Sequence, residues 1–196
     1  MRTLVFDTAT RALSVALFED DALVDHHHED VGRGHAERLI PTIAALEGGG
    51  RAERIAVGCG PGSFTGTRVA IAAARALGFA WGATVEGFDT LALIEADARR
   101  LGAEGQIAVI AEGGHGQWLI RYPGEPGRAM NPAEAWQTVP DLALVGDRAA
   151  QFAEGREIRV LAGAADARAY PWVVPDARGL SVAPRYARAP DARPAQ

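Results

Sequence analysis

Residues 58–68 read Gly58-Cys59-Gly60-Pro61-Gly62-Ser63-Phe64-Thr65-Gly66-Thr67-Arg68. They follow the apolar run Ile55-Ala56-Val57 and open an alanine-rich stretch that reaches Trp81. A strand, a glycine turn and a helix start in that order bring unpaired backbone N–H groups together, which is the chemistry of an anion cradle. Gly62, Ser63, Phe64 and Thr65 are the residues that would hold the anion. The better-known phosphate loops do not match. No lysine follows Gly66, and the glycine spacing is not that of a dinucleotide fingerprint. Ser63 is not in a G-x-S-x-G elbow. The plainer reading is a tight turn in which Ser63 caps the helix.

Asp7 is the next residue that could do chemistry. It ends the run Thr3-Leu4-Val5-Phe6 and leads into Thr8-Ala9-Thr10. In actin-like ATPases and sugar kinases the comparable hairpin carries glycine, so that backbone can approach phosphate; here Ala9 occupies the middle. A nuclease of the ribonuclease-H type needs further carboxylates to hold two metals, and Ile55–Cys59 offers none. Asp7 therefore reads as a structural turn residue. Of His26-His27-His28, only His26 and His28 would share a side of a strand, and a solvated strand edge is expected. His35 opens the first helix, but position 39 is Leu39, so a two-histidine metal pair is absent. His115 has no recognisable partner. No catalytic residue, metal ligand or cofactor is assigned.

Composition narrows the function classes. The chain has 196 residues, enough for one large domain or two small ones, and 48% are hydrophobic, enough for a core. A net charge of −5 argues against a free-standing nucleic-acid binder. All 20 basic residues are arginine, which excludes a lysine Schiff base or a P-loop lysine. That bias reads as genomic composition. Cys59 is the sole cysteine, so neither an intrachain disulfide nor a cysteine-rich metal site is expected. Met1-Arg2 leads straight into a strand pattern without a signal-peptide layout. No apolar run approaches the ~20 residues that span a bilayer. A cytoplasmic protein with no membrane contact is expected.

These residues must be positioned by a recognisable series of elements. Residues 3–6, 13–18 and 22–29 read as strands, with Asp20-Asp21 as a turn. Ala36, Leu39, Ile40, Ile43 and Leu46 form one helical stripe that contains Pro41 and ends at Gly48-Gly49-Gly50. Ile55–Cys59 is a fourth strand, Phe64–Trp81 a second helix, Thr84–Val85 a fifth strand, and Asp89 caps a third helix through Arg100. The order βββαβαβα is ribonuclease-H-like. Weaker strands are expected over residues 106–111, 117–122, 142–145 and 158–161, with a helix start at 132–136. The expected division is 1–101, a smaller unit over 102–186, and a mobile Pro/Ala/Arg tail over 187–196. Phe64, Arg68, Ile71 and Arg75 recur at helical spacing as an exposed strip, beside low-profile alanines that would admit a partner helix.

Taken together, the chain resembles the TsaB (YeaZ) family. The resemblance rests on Leu4-Val5-Phe6-Asp7-Thr8-Ala9-Thr10, Ser14-Val15-Ala16-Leu17, His35-Ala36-Glu37-Arg38-Leu39-Ile40-Pro41 and, above all, Gly60 to Arg68. It is strong over residues 1–95 and thin beyond 105. It implies an α/β, actin-like (ASKHA) fold of two subdomains, each ribonuclease-H-like, with the second half reduced. It implies a role in making threonylcarbamoyladenosine in tRNAs. There TsaC makes the adenylate and TsaD transfers the threonylcarbamoyl group. The family member is the non-catalytic partner that binds and activates TsaD, together with a TsaE-like ATPase in bacteria. Association through the first two helices, in homodimers or with TsaD, implies interface residues His35, Leu39, Ile40, Ile43, Phe64, Thr67, Arg68, Ile71 and Arg75. ATP or ADP would enter only in the complex, and tRNA would be contacted only indirectly. The alternatives are a nucleotide-dependent actin-like kinase-class enzyme and an M22-like metallopeptidase. One departure is plain: where the family carries an Asp-Ala-Arg-type segment, this chain reads Glu112-Gly113-Gly114-His115.

Overall fold

Arg2–Asp7 forms β1, buried along nearly its whole length because its two faces meet different layers. In this computed structural model, which describes residues 1–140 and 142–187, β2 (Ala12–Glu19) and β3 (Ala22–Asp30) follow in antiparallel pairing. Asp20 and Asp21 join them with φ of 48° and 66°, the left-handed pair that a two-residue hairpin favours. β4 (Arg54–Gly58) and β5 (Thr84–Phe88) add in parallel on the other side of β1.

Two helices cover one face of this sheet. α1 (His35–Ala45) brings Leu39 and Ile43, and α2 (Phe64–Trp81) brings Ala70, Ile71 and Ala74, onto Leu4, Phe6, Val15 and Leu17. Pro41 is the seventh residue of α1, deeper than the first turn where its missing N–H is harmless, so the Glu37 carbonyl goes without its helical donor. α3 (Thr90–Arg100) covers the opposite face and is buried from Thr90 through Ala98. Such a helix is apolar or paired all round. Its carboxylates obey that rule: Glu95 is bridged by Arg99 and by buried Arg121, and Asp97 by Arg100.

A second sheet lies behind α3. It contains β6 (Ile107–Gly114), β7 (Gln117–Arg121), β8 (Arg128–Met130) and β9 (Ala143–Val145), in the order β8-β7-β6-β9. α4 (Pro132–Thr138) and α5 (Ala149–Ala153) cover its outer face, with Phe152, Trp118 and Ile120 at the centre of that layer. His115 and Gly116, with φ of 51° and 74°, form the β6–β7 hairpin turn.

The second unit repeats the first. The first sheet runs β3-β2-β1-β4-β5, and the second runs β8-β7-β6-β9 with the same three antiparallel strands and one parallel addition. Where a fifth strand would follow, Val160 makes a lone parallel bridge to Leu144. The strand expected over 158–161 is thus reduced to that bridge. α4 and α5 have 7 and 5 residues where α1 and α2 have 11 and 18.

The chain then crosses back. β10 (Arg178–Leu180) pairs antiparallel with β5 at the edge of the first sheet, although it falls within the 102–186 span assigned from sequence to the second unit. All of the expected tail except Ala187 lies outside the described residues. Among the described residues, no helix is long and apolar enough to cross a membrane.

Candidate functional site

The glycine turn lies at the carboxyl end of β4, and the hairpin after β1 is seated directly in it. The Ser63 amide donates to the Ala9 carbonyl at 2.6 Å. The Thr8 hydroxyl donates to the Gly66 carbonyl at 2.7 Å. This approach explains the glycines: a Cβ on Gly62 would lie 2.2 Å from the Ala9 oxygen, and one on Gly66 1.9 Å from the Thr8 oxygen. Ser63 caps α2, its hydroxyl oxygen accepting the Gly66 amide at 3.1 Å. Of the expected anion cradle, then, the Ser63 amide is already bound within the protein. The Gly62, Phe64 and Thr65 amides show no protein partner among the described residues.

Asp7 sits beneath this joint, 1% exposed. One carboxylate oxygen accepts the Ala9 amide at 2.7 Å and the other the Thr90 hydroxyl at 2.6 Å. Gly58 must be glycine here, since a Cβ would lie 1.8 Å from the carboxylate. Burial pushes the Asp7 carboxyl up to about 6, against the pull of the Thr90 and Ala9 hydrogen bonds. A carboxylate closed in this way bridges loops and is sealed from a magnesium ion or a phosphate.

One constellation was invisible in sequence. Ser14, His28 and Asp166 come together from β2, β3 and the segment before the 3-10 turn 167–172. The Ser14 hydroxyl and an Asp166 oxygen lie 3.1 and 3.9 Å from His28, but both face the same ring nitrogen, Nδ1. A nucleophile triad needs one partner on each nitrogen. Ser14 is fully buried and accepts the Ala167 amide at 2.8 Å. Burial works to raise the Asp166 carboxyl, but its hydrogen bonds with Arg168 outweigh it and hold it below the ordinary range. The trio is a structural clasp. The remaining histidines are dispersed: His27 meets Glu29 at 3.1 Å, and His35 meets the Ala12 carbonyl at 3.2 Å. No group of three or more metal-ligating side chains converges among the described residues.

The helix surface differs from its sequence-based outline. Leu39, Ile43, Thr67 and Ile71 are buried within the chain, so they form core, not interface. Their stripe is the one that meets the sheet. Ile40 is 46% and Phe64 56% exposed, and Arg68 and Arg75 are exposed. Phe64 stacks on Tyr186 at 5.6 Å with the Arg68 guanidinium 3.4 Å above its ring, and Arg75 donates to the Val182 carbonyl at 2.7 Å. The segment 182–186 therefore lines α2 from Phe64 to Arg75. The apolar positions that stay exposed include Ala72, Ala76, Phe79 and Ala80 on α2 and Ala36, Ile40 and Ala44 on α1, where Glu37, Arg38, Pro41 and Ala45 are exposed too. Phe79 is 95% exposed. Its signal was present in sequence: it falls off the buried stripe Thr67-Ala70-Ile71-Ala74-Gly78.

Comparison with known proteins points one way. A family model described as TsaD, tRNA N6-adenosine threonylcarbamoyltransferase, matches residues 27–125. The tRNA threonylcarbamoyladenosine biosynthesis protein TsaB of Escherichia coli is 38% identical over 116 residues, 56% of this chain and 50% of that protein. The chain thus matches half the length of that relative. An uncharacterized Mycobacterium tuberculosis protein is 36% identical over 169 residues, 76% of this chain and 75% of its own. Among solved structures, YeaZ from Pseudomonas aeruginosa aligns with a TM-score of 0.74 and 26% identity, covering 94% of this chain and 99% of that one. The ethanolamine utilization protein EutJ of Carboxydothermus hydrogenoformans, at 12% identity and TM-score 0.50 over 89% of each chain, shares the fold alone. The architecture is the actin-like one: two ribonuclease-H-like units, the second reduced.

Proposed function

The chain belongs to the TsaB (YeaZ) family, and from that premise we propose that it is a non-catalytic subunit in the making of threonylcarbamoyladenosine in tRNA. It binds a TsaD-like transferase and holds it in its active form, with a TsaE-like ATPase joining the complex. The same face pairs two copies when the transferase is absent. Nucleotide enters only with the partners, tRNA is touched only through them, and the setting is cytoplasmic.

The observation that carries this reading is the bare outer face of α1 and α2, where Phe79 stands 95% exposed among alanines. Small side chains let a partner helix approach closely, and one large aromatic supplies an anchor. An interface of ordinary size, on the order of 800 Å² per partner, needs little more than two such helices. The sealed Asp7 and the single-nitrogen contacts of His28 support a subunit without its own chemistry.

The test is co-expression with the TsaD-like subunit of the same organism, read by size exclusion, followed by reconstituted tRNA modification read by mass spectrometry. Co-elution and dependence of modification on this chain are expected. Full modification with the chain omitted overturns the proposal.

A further inference from the structure

A cleft of about 590 Å³ opens beside the amino ends of β1 and β4 and extends along β5 past Glu86, lined among others by Thr3, Asp21, Arg54, Glu86, Tyr170 and Arg178. Its β1 and β4 side lies at the opposite end of the sheet from the glycine turn, whereas ligands in open α/β sheets normally sit at the carboxyl ends of the strands. Its volume falls within the range of small-molecule pockets, roughly 300–1,000 Å³.

The charges in the cleft are unevenly paired. Tyr170 donates its phenolic proton to Glu86 at 2.6 Å, and an Arg54 nitrogen stands 3.8 Å from the same Glu86 oxygen. Arg54 also donates from Nε to the Thr3 hydroxyl at 3.2 Å. Glu86 is thus occupied by a phenol and one guanidinium. Arg178 is partly buried, and its guanidinium has no hydrogen-bond or ion-pair partner among the described residues. It is anchored by β10, whose backbone pairs Arg178 with Phe88. Both guanidiniums bear on the Tyr170 oxygen: burial, then the Glu86 carboxylate, push that phenol well up, while Arg54 and Arg178 pull it down. Two arginines therefore line one concave site, and one of them, Arg178, has no hydrogen-bond or ion-pair partner among the described residues. A guanidinium presents its donors in a fixed fork that matches an oxyanion. The acidic groups nearby do not fill this role. Asp20 holds the Met1 amine at 2.7 Å, and Asp21 is on the exposed hairpin turn.

We propose that this cleft binds the oxyanion group of a small metabolite, a phosphate or a carboxylate, with Arg178 as the principal donor and Arg54 as the second. The site is independent of the α1–α2 face, and its test needs no partner subunit.

The purified chain is titrated at low ionic strength with inorganic phosphate in one arm and citrate in the other, followed by NMR of the arginine Nε–H signals. A saturable shift of the Arg178 signal in at least one arm is expected, and the stronger arm identifies the anion. Arg178→Gln should weaken that binding at least tenfold with its thermal melting unchanged. Arg54→Gln, read in the same way, covers the case in which the first variant does not fold. Arg33→Ala, exposed and remote, should leave binding intact. No saturable shift in either arm, or equal weakening by Arg33→Ala and Arg178→Gln, overturns the proposal.

Discussion

The Thr90 hydroxyl donates to Asp7 at 2.6 Å while its oxygen accepts the Gly60 amide at 3.1 Å. One side chain thereby ties β1, the glycine turn and the start of α3 into a single joint. The joint has a pH signature. Burial raises the Asp7 carboxyl from 3.8 to about 6, so the folded state binds this proton more tightly than the unfolded state. Its contribution is most favourable below about pH 4 and is lost as pH rises through 6, on the order of 3 kcal/mol in all. Urea unfolding of the native chain and of Asp7→Asn between pH 4 and 7 checks this. The difference between the two should shift across that window in favour of Asp7→Asn at the higher pH. A flat difference would show that the carboxyl is not raised.

Gly66→Ala sets two effects against each other. Inside a helix the exchange normally stabilises by about 1 kcal/mol. Here the new Cβ would meet the Thr8 carbonyl oxygen at 1.9 Å, and overpacking against backbone costs roughly 1–3 kcal/mol. The clash wins, because the seated hairpin has no flexible side chain to yield. Thermal unfolding should show a lowered melting temperature for Gly66→Ala. A rise would mean that the hairpin moves freely.

Phe79→Glu and Ile71→Glu separate surface from core. Phe79 is 95% exposed and Ile71 4%. Phe79→Glu should leave melting unchanged and abolish co-elution with the transferase subunit. Ile71→Glu should unfold the chain, since a charge buried without a partner costs several kcal/mol. Circular dichroism melting beside size exclusion distinguishes them, and retained co-elution of Phe79→Glu would move the interface elsewhere.

Cys59 is fully buried, and burial pushes its thiol up to about 11. Its Sγ lies 3.9 Å from the Ser181 carbonyl, and its own carbonyl accepts the Arg185 amide at 2.8 Å. Iodoacetamide at pH 8 should leave the native chain unlabelled by mass spectrometry, while a chain ending at Leu180 should react. Equal protection of both chains would show that 181–187 is not what seals the thiol.

The first hundred residues were legible because their signals are local. Ser63 and Asp89 announce the helix starts they cap. Other features depend on residues far apart in the chain. The seating of Ala9 on Ser63 spans 54 positions, and the Ser14–Ala167 bond spans 153. The resemblance implies an interface that includes Leu39, Ile43, Thr67 and Ile71, all buried within the chain, because association through two helices does not say which of their faces is free. In the second half, strands of three residues such as Arg128–Met130 are too short to express alternation, and Arg178–Leu180 carries none.

The return of Arg178–Leu180 to the first sheet has a consequence for synthesis. Until those residues leave the ribosome, β5 is a bare edge, an open template for other strands. Domains otherwise tend to fold in order of emergence. Here the first unit waits for the last: its sheet edge is closed, and the carbonyl of Cys59 is bonded by Arg185, only after the whole second unit has been made. The amino-terminal half is therefore the part of the nascent chain left longest unfinished.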